Sequence, residues 1–423
     1  MELNIYTLGC KVNQYESEQI RSLLNTADLA QTDVQIYVIN SCTVTAESSR
    51  KTRQAVNRIR KEYPDAVLVL TGCYPQAFPQ EAAQTDADIV IGNKNNLQIV
   101  SFVNRFLQEK QRIVAVEQHD KPELYSDYPI CEFAGHTRAF VKIQDGCNRF
   151  CSYCIIPFAR GRSRSRKIED IKNELQQLAA NGYREVVLTG IDLSAYGADI
   201  GKDLADVVEL AQGIDGIDRI RLGSLETDRM TVHLLDRFAA CSKFCPQFHL
   251  SLQSGSDAIL KRMNRHYTSA DYLQLCTRIR DLFADAAITT DIITGFPGET
   301  DEDHLQTMNF VKQIGFEKVH VFPFSERSGT RAAAFEQQVP KKIRSDRAKE
   351  LSAVCAEIRK DYLQRCVGKT VEVLFETPDG AYQQGYTASY LPVKVKADCL
   401  LTGSSALVRI DRAEDDYCIG TLI

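Results

Sequence analysis

Three cysteines at C-x3-C-x2-C spacing, Cys147, Cys151 and Cys154, crowd into eight residues of a chain that has 14 cysteines in 423. Thiolates are soft ligands, so iron–sulfur and zinc are the metals to weigh. A zinc ribbon presents two C-x2-C knuckles, or cysteine with histidine, and no second knuckle follows here. Three thiolates hold three corners of a cubane cluster and leave one iron open to a substrate or cofactor. That asymmetry points to catalysis.

The elements that must position such a loop follow from the pattern around it. From the start, Leu3–Leu8, Val34–Asn40, Val67–Thr71 and Asp88–Ile91 read as strands, and Tyr15–Asn25, Ala46–Tyr63 and Asn95–Leu107 as helices. This alternation predicts a doubly wound parallel α/β sheet over residues 1–110. Leu8-Gly9-Cys10, Asn40-Ser41-Cys42 and Thr71-Gly72-Cys73 each end a strand, 32 and 31 residues apart. The carboxyl ends of parallel strands share one edge, where ligands bind. A lone cysteine there would be a small buried hydrophobe. Three in equivalent positions suggest a second three-thiolate cluster.

Residues 111–136 read as a connector, with a strand at Ile113–Glu117 and a structural Cys131. From Arg138 the pattern restarts: Ala139–Ile143, Glu185–Thr189, Arg219–Leu222, Phe248–Leu252, Thr289–Ile293 and Lys318–Pro323 are strands, with helical spacing in Ile168–Asn181 and Tyr272–Phe283. Six βα repeats over 137–366 suggest a partial (β/α)6 barrel whose chemistry lies at the strand carboxyl ends. The three-cysteine loop directly follows the first of these strands. Other strand ends carry Gly190 and Asp192, Ser224 and Glu226, Gln253 and Ser254, and Gly295, groups suited to a bound cofactor. Each alone is an ordinary βα turn; four on one rim beside a metal loop favour a ligand. Thr300 and Asp303 match a capping box. Cys241 and Cys245, four apart as on one helix face, read as structural. Residues 367–423 hold five short β runs, Thr370–Phe375, Gln384–Tyr390, Val393–Val395, Ala406–Ile410 and Tyr417–Leu422, consistent with a small β-barrel of a kind common among nucleic-acid binders.

The composition is that of an ordinary globular protein, 44% hydrophobic and 25% charged, with a net charge of −5. Neither a secretory signal nor a membrane span is expected, and a cytoplasmic chain of this length uses clustered cysteines for metal rather than disulfides. The acidic total hides local reversals. Between Arg138 and Ile168 eight basic residues face one acid, and a second basic run spans Arg50 to Lys61. Each could be a solvated face; two, each after a cysteine motif, favour an anionic substrate such as RNA. Arg50, Arg53, Arg160, Arg162, Arg164 and Arg166 are the candidate contacts. The last 56 residues, with five basic and eight acidic groups, offer little phosphate neutralisation.

Along essentially its whole length the chain resembles the radical S-adenosylmethionine (SAM) methylthiotransferases. The resemblance rests on Cys147-x3-Cys151-x2-Cys154 followed by Ile155-Ile156-Pro157, on the three strand-end cysteines, on His249 to Ser256, and on Gly295-Phe296-Pro297-Gly298-Glu299. Thr7 to Gln14 and Asn40 to Thr45 look most like the branch acting on N6-threonylcarbamoyladenosine in tRNA. The resemblance implies a [4Fe–4S] cluster on Cys147, Cys151 and Cys154 whose open iron binds SAM and cleaves it to a 5′-deoxyadenosyl radical. It implies a second [4Fe–4S] cluster on Cys10, Cys42 and Cys73 that supplies sulfur, a second SAM that supplies methyl, and a last domain of the TRAM type associated with tRNA. A low-potential electron donor and a monomeric state are further expectations. The protein's own tasks are to hold these groups together and exclude water. Rival readings are action on N6-isopentenyladenosine, action on an aspartate of a ribosomal protein, and a non-catalytic tRNA-binding protein with structural zinc.

Overall fold

The computed structural model describes residues 1–27, 34–119, 123–130, 132–133, 137–397 and 399–423. Cys131 lies outside them. In the first part, Glu2–Thr7, Gln35–Ser41, Val67–Gly72, Ile89–Ile91 and Ile113–Ala115 form one parallel sheet in chain order. Successive side chains of a strand point to opposite faces, and the sequence exploits this. Ile36, Val38, Val67 and Val69 pack under Ile20 and Leu24 of helix Lys11–Thr26 and Val103 of helix Ile99–Glu109. Tyr37, Ile39, Leu68 and Leu70 face the other way, onto Val56 and Ile59 of helix Ala46–Glu62. Helices on both faces make the sheet doubly wound. Helix Ala46–Glu62 is started by Thr45, whose hydroxyl accepts from Ser48 N at 3.1 Å.

Six parallel strands follow: Arg138–Lys142, Glu185–Thr189, Arg219–Leu222, Gln247–Leu250, Ala287–Thr294 and Lys318–Pro323. Two sheets are joined where Ile220 N donates to Lys243 O and Cys245 N donates to Ile220 O, both at 2.9 Å. Within these sheets Arg138–Lys142 and Lys318–Pro323 are the outer strands, so the barrel is open. The Thr300–Asp303 capping box is present at helix Asp301–Ile314. Cys241 and Cys245 do not share a helix: helix Val232–Ala239 ends before them, and both are buried in the turn leading to the fourth strand. Their spacing imitated a helical period that a turn cut short.

One long element escaped the sequence pattern. Helix Lys341–Gln364 packs on the last barrel strand and buries Arg344, Arg347, Leu351, Cys355, Arg359 and Leu363. Half of that stripe is arginine, so no apolar period betrays it. The guanidiniums are paired instead: Arg344 with Glu326 at 2.7 Å, Arg347 with Glu299 at 2.8 Å and Arg359 with Glu317 at 2.8 Å. Beyond it a closed five-stranded barrel is formed by Thr370–Asp379, Tyr382–Tyr386, Pro392–Lys396, Ser405–Ala413 and Cys418–Leu422. It docks through Arg219 to Glu372 at 2.8 Å, Arg138 to Glu376 at 2.8 Å, and Arg221, which donates to Thr387 O and Ala388 O at 2.7 and 2.6 Å. Among the described residues no helix is long and apolar enough to cross a membrane.

Candidate active site

The Cys147–Cys154 loop leaves the first barrel strand and ends at the short helix Ile156–Arg160. Gln144–Asp145 pairs antiparallel with Arg164–Ser165 and closes the loop at its base. Asn264 Nδ2 donates to Arg149 O and Phe150 O at 3.2 Å each, and Cys154 N donates to Cys151 O at 3.0 Å. All three thiols are partly buried. Arg149 N points at Cys147 Sγ at 3.4 Å, and Arg265 Nη1 at Cys151 Sγ at 3.3 Å. Burial pushes the Cys147 thiol up, with Asp192 adding to it, and burial beside Cys151 pushes Cys154 up to about 12. A bound metal must therefore displace protons from these sulfurs. Donors aimed at sulfur are what tune iron–sulfur clusters, and two orphaned buried atoms, Asp192 Oδ1 and Arg149 Nε, lie beside Cys147. The residues present fit a three-thiolate cluster with a polar ligand at its open corner.

The strand-end cysteines converge as their registers require. Thr7 is opposite Asn40, and Ser41 opposite Gly72, so Cys10, Cys42 and Cys73 emerge from three adjacent strands at one edge. Gly9, at φ 135°, makes the approach possible, because a Cβ there would lie 3.0 Å from Cys42 Cβ and 2.5 Å from Asn13 Oδ1. Asn13 ties the turn together: its Nδ2 donates to Asn40 Oδ1 and Ser41 O at 3.2 Å, and its Oδ1 accepts from Cys10 N at 3.4 Å. Cys42 and Cys73 are buried and Cys10 is exposed. Burial raises the Cys42 thiol and takes Cys73 to about 12. Among the described residues no three or more His, Cys, Asp or Glu close to single-ion spacing. Structural zinc takes four protein ligands, whereas each trio offers three thiolates, which suits a cluster with one open corner. Both trios fit iron–sulfur better than zinc.

The arginines divide. Arg160 and Arg166, read above as RNA contacts, are 1% and 0% exposed and cannot reach a polyanion. Arg160 donates to Cys73 Sγ at 3.2 Å and to both oxygens of Glu16, at 2.6 and 2.9 Å. Arg166 pairs with Glu174 at 2.6 Å. Arg164 is mostly covered and pairs with Asp145 at 3.0 Å. Arg160 reaches its acid, Glu16, across 144 residues, which a local charge count misses, whereas Arg164 and Arg166 pair with acids closer in the chain, Asp145 and Glu174. Arg50, Arg53 and Arg162 are exposed, and Arg162 lies over the Phe150 ring at 4.6 Å.

The cofactor candidates divide as well. Asp192 is 3.9 Å from Cys147 Sγ, and Glu226 bonds Arg265, so both carboxylates flank the cysteine loop. Burial pushes both up, against the pull of Arg149 on Asp192 and of Arg265 on Glu226. Gln253 holds a left-handed φ of 71° while its N–H and C=O bond Asp291 O and Ile293 N at 2.9 Å. Gly190 and Ser224 line a cavity of about 660 Å³ that Cys10 also enters, with His249, Asp291, His320, Tyr386 and Tyr390. Ser254 and Gly295 do not line that cavity. Ser254 Oγ accepts from Ser256 N at 3.2 Å inside the protein, and a Cβ on Gly295 would meet Arg344 Cγ at 2.4 Å. Arg149, Arg265, Asn13 and Glu16 went unread; only Arg149, inside the cysteine motif, and Asn13, three residues after Cys10, carried a local signal.

Glu16 anchors a buried ion network between the two thiol trios. It meets Arg160 at 2.6 Å and Lys142 at 2.8 Å, and Asp145 meets Lys142 at 2.7 Å and Arg160 at 3.3 Å. Burial opposes ionisation of Glu16, but Arg160 and Lys142 outweigh it and hold the carboxyl low; Lys142, Arg164 and Arg160 do the same for Asp145. A carboxyl lowered in the fold stabilises it above its unfolded value, ordinarily 4.5 for Glu and 3.8 for Asp, and loses that contribution as pH falls through the folded value. Glu16→Gln leaves Arg160 short of its partner in the interior and is expected to cost about 3–5 kcal/mol. Urea unfolding of the variant beside wild type measures this, and the difference should shrink in acid.

Residues 141–311 match the model of the Radical SAM superfamily, and residues 2–92 that of "Uncharacterized protein family UPF0004". The threonylcarbamoyladenosine tRNA methylthiotransferase MtaB of Bacillus subtilis is 36% identical, covering 99% of this chain and 95% of that protein. The tRNA-2-methylthio-N(6)-dimethylallyladenosine synthase of Syntrophomonas wolfei is 35% identical over 92% of this chain and 89% of its own. Among solved structures, the radical SAM methyltransferase TsrM of Kitasatospora setae shares the fold at 15% identity, with a TM-score of 0.54 over 76% of this chain and 66% of that one. The superfamily brings SAM and a [4Fe–4S] cluster with it. By its two matched domains and by relatives aligned over nearly its full length, the chain belongs to the radical SAM methylthiotransferases and is an enzyme of that class.

Proposed function

We propose that this enzyme converts N6-threonylcarbamoyladenosine, at the position immediately 3′ of the tRNA anticodon, to its 2-methylthio derivative. The observation that carries the reading is that Cys10 opens into the same cavity as Gly190 and Ser224 on the barrel rim. Sulfur chemistry and the barrel thus address one substrate. In this reading Cys147, Cys151 and Cys154 hold the cluster that works with SAM, and Cys10, Cys42 and Cys73 hold a second [4Fe–4S] cluster. When bound, the first supplies radical initiation from SAM and the second supplies sulfur, with methyl from a second SAM. Asp192, Glu226, Arg149 and Arg265 orient the ligand at the first, and Arg265 and Arg160 each place a cation on a thiolate. The closed barrel and the strand ends wall the cavity against water. Exposed Arg50, Arg53 and Arg162 supply phosphate contacts to an anticodon loop, a single-stranded target suited to splayed bases. The threonylcarbamoyl branch is supported by the motif Gly9-Cys10-Lys11-Val12-Asn13 and by the names of several relatives.

Profiling tRNA nucleosides from a deletion strain tests the substrate. The expected result is loss of the 2-methylthio-threonylcarbamoyl nucleoside with the 2-methylthio-isopentenyl nucleoside retained. The reverse pattern overturns the proposal.

A further inference from the structure

The cavity that Cys10 enters is lined along the last barrel strand by Lys318, His320 and Phe322. Alternate residues of a strand share a face, so these three form one stripe, while Val319 and Val321 pack against the core. Most charges around the cavity are already matched. Arg359 meets Glu317 at 2.8 Å and Arg221 meets Glu185 at 2.7 Å, while the Asp291 carboxylate lies 3.2 Å from His249 Nε2, an imidazole that matches its charge only when protonated. Lys318, exposed to the cavity, and Lys11, the first residue of helix Lys11–Thr26, line it with no ion pair among the described residues. Two cations without counterions and an aromatic ring, Phe322, at 44% exposure describe a site for a flat base that carries an anion.

We propose that Lys318, assisted by Lys11, binds the carboxylate of the amino-acid group carried on N6 of the substrate adenine while Phe322 stacks on the ring. This rests on the reading of the cavity as the methylthiolation site for that nucleoside. Phe322 is near the carboxyl end of its strand, the end of the barrel where the cysteine loop lies. Lys318 is four residues earlier, roughly 13 Å away at about 3.3 Å per residue. The C2 edge of the base must face the thiols. The N6 substituent, on the other side of N1, then runs toward the start of the strand and brings its carboxylate to Lys318. A neutral alkyl substituent leaves that cation unmatched, and a site built for a polar group rejects the analogue that lacks it.

The test is equilibrium binding of the cluster-loaded enzyme to anticodon stem-loop RNAs whose adenosine carries threonylcarbamoyl, isopentenyl or nothing. Wild type is expected to prefer the first. Lys318→Met should lose that preference, weakening the threonylcarbamoyl RNA alone by about tenfold, the scale of one charge-assisted hydrogen bond. Lys318→Arg should keep it. The side chain is exposed, so neither change threatens the fold. Equal weakening of all three RNAs makes Lys318 a phosphate contact and overturns the proposal, as does unchanged binding of the threonylcarbamoyl RNA. Failure of the nucleoside reading looks different: wild type would then bind and turn over the isopentenyl RNA in preference, which overturns both.

Discussion

Cys10→Ala is expected to leave SAM cleavage running while the methylthio product falls by at least about a hundredfold. Loss of a partner behind a metal ligand already costs 10–100-fold, and here a proposed ligand itself is removed. The separation of the two activities follows from geometry. Cys10 belongs to the first sheet and Cys147 to the barrel loop, and no hydrogen bond joins the Cys10 turn to that loop among the described residues. Cys10 is exposed, so alanine leaves no cavity behind. Quantifying 5′-deoxyadenosine beside the 2-methylthio nucleoside, with iron per chain as a check on loading, reads both activities in one sample. Undiminished methylthiolation would remove the strand-end cysteines from the chemistry.

Cys151→Ala is expected to abolish both readouts together, deoxyadenosine formation included, by three orders of magnitude or about that. The side chain receives Arg265 at 3.3 Å, and that guanidinium remains bonded to Glu226 and Ser251 O after the change. The loop therefore keeps its supports, and the loss reports on the ligand rather than on folding. Iron content should fall by about the same share in the two variants while their activities diverge. A Cys151→Ala enzyme that still cleaved SAM would refute the assignment of the radical cluster.

Much of this architecture was legible in the residues. The two periods, 2 and 3.6, located the strands of both parallel regions and of the closed barrel within a few residues, and the strand ends located both cysteine sets. Many of the unread parts share one cause: buried arginine. Arg344, Arg347 and Arg359 hid the face of helix Lys341–Gln364, and Arg160 and Arg166 passed for a surface charge run. A guanidinium is read as exposed unless its acid partner falls inside the same charge run, and even Glu174, the partner of Arg166, lies just beyond the run that ends at Ile168. Glu16 is 144 residues from Arg160 and Glu317 is 42 from Arg359. Pairings at such separations are set by the fold and leave no local period. Arg265 escaped for the same reason, since its targets, Cys151 and Glu226, lie on other strands' loops.

The Glu16–Arg160 pair also sets a rule for transplantation. Helix Lys11–Thr26 supplies the acid, the segment behind the radical loop supplies the base, and the same guanidinium touches Cys73. Grafting residues 1–110 onto a foreign radical SAM barrel would bury Glu16 against a surface lacking its cations and leave Cys73 without its donor. A working chimera must therefore carry Lys142, Asp145 and Arg160 across with the graft, so the unit proposed to confer sulfur insertion ends inside the barrel and not at the linker.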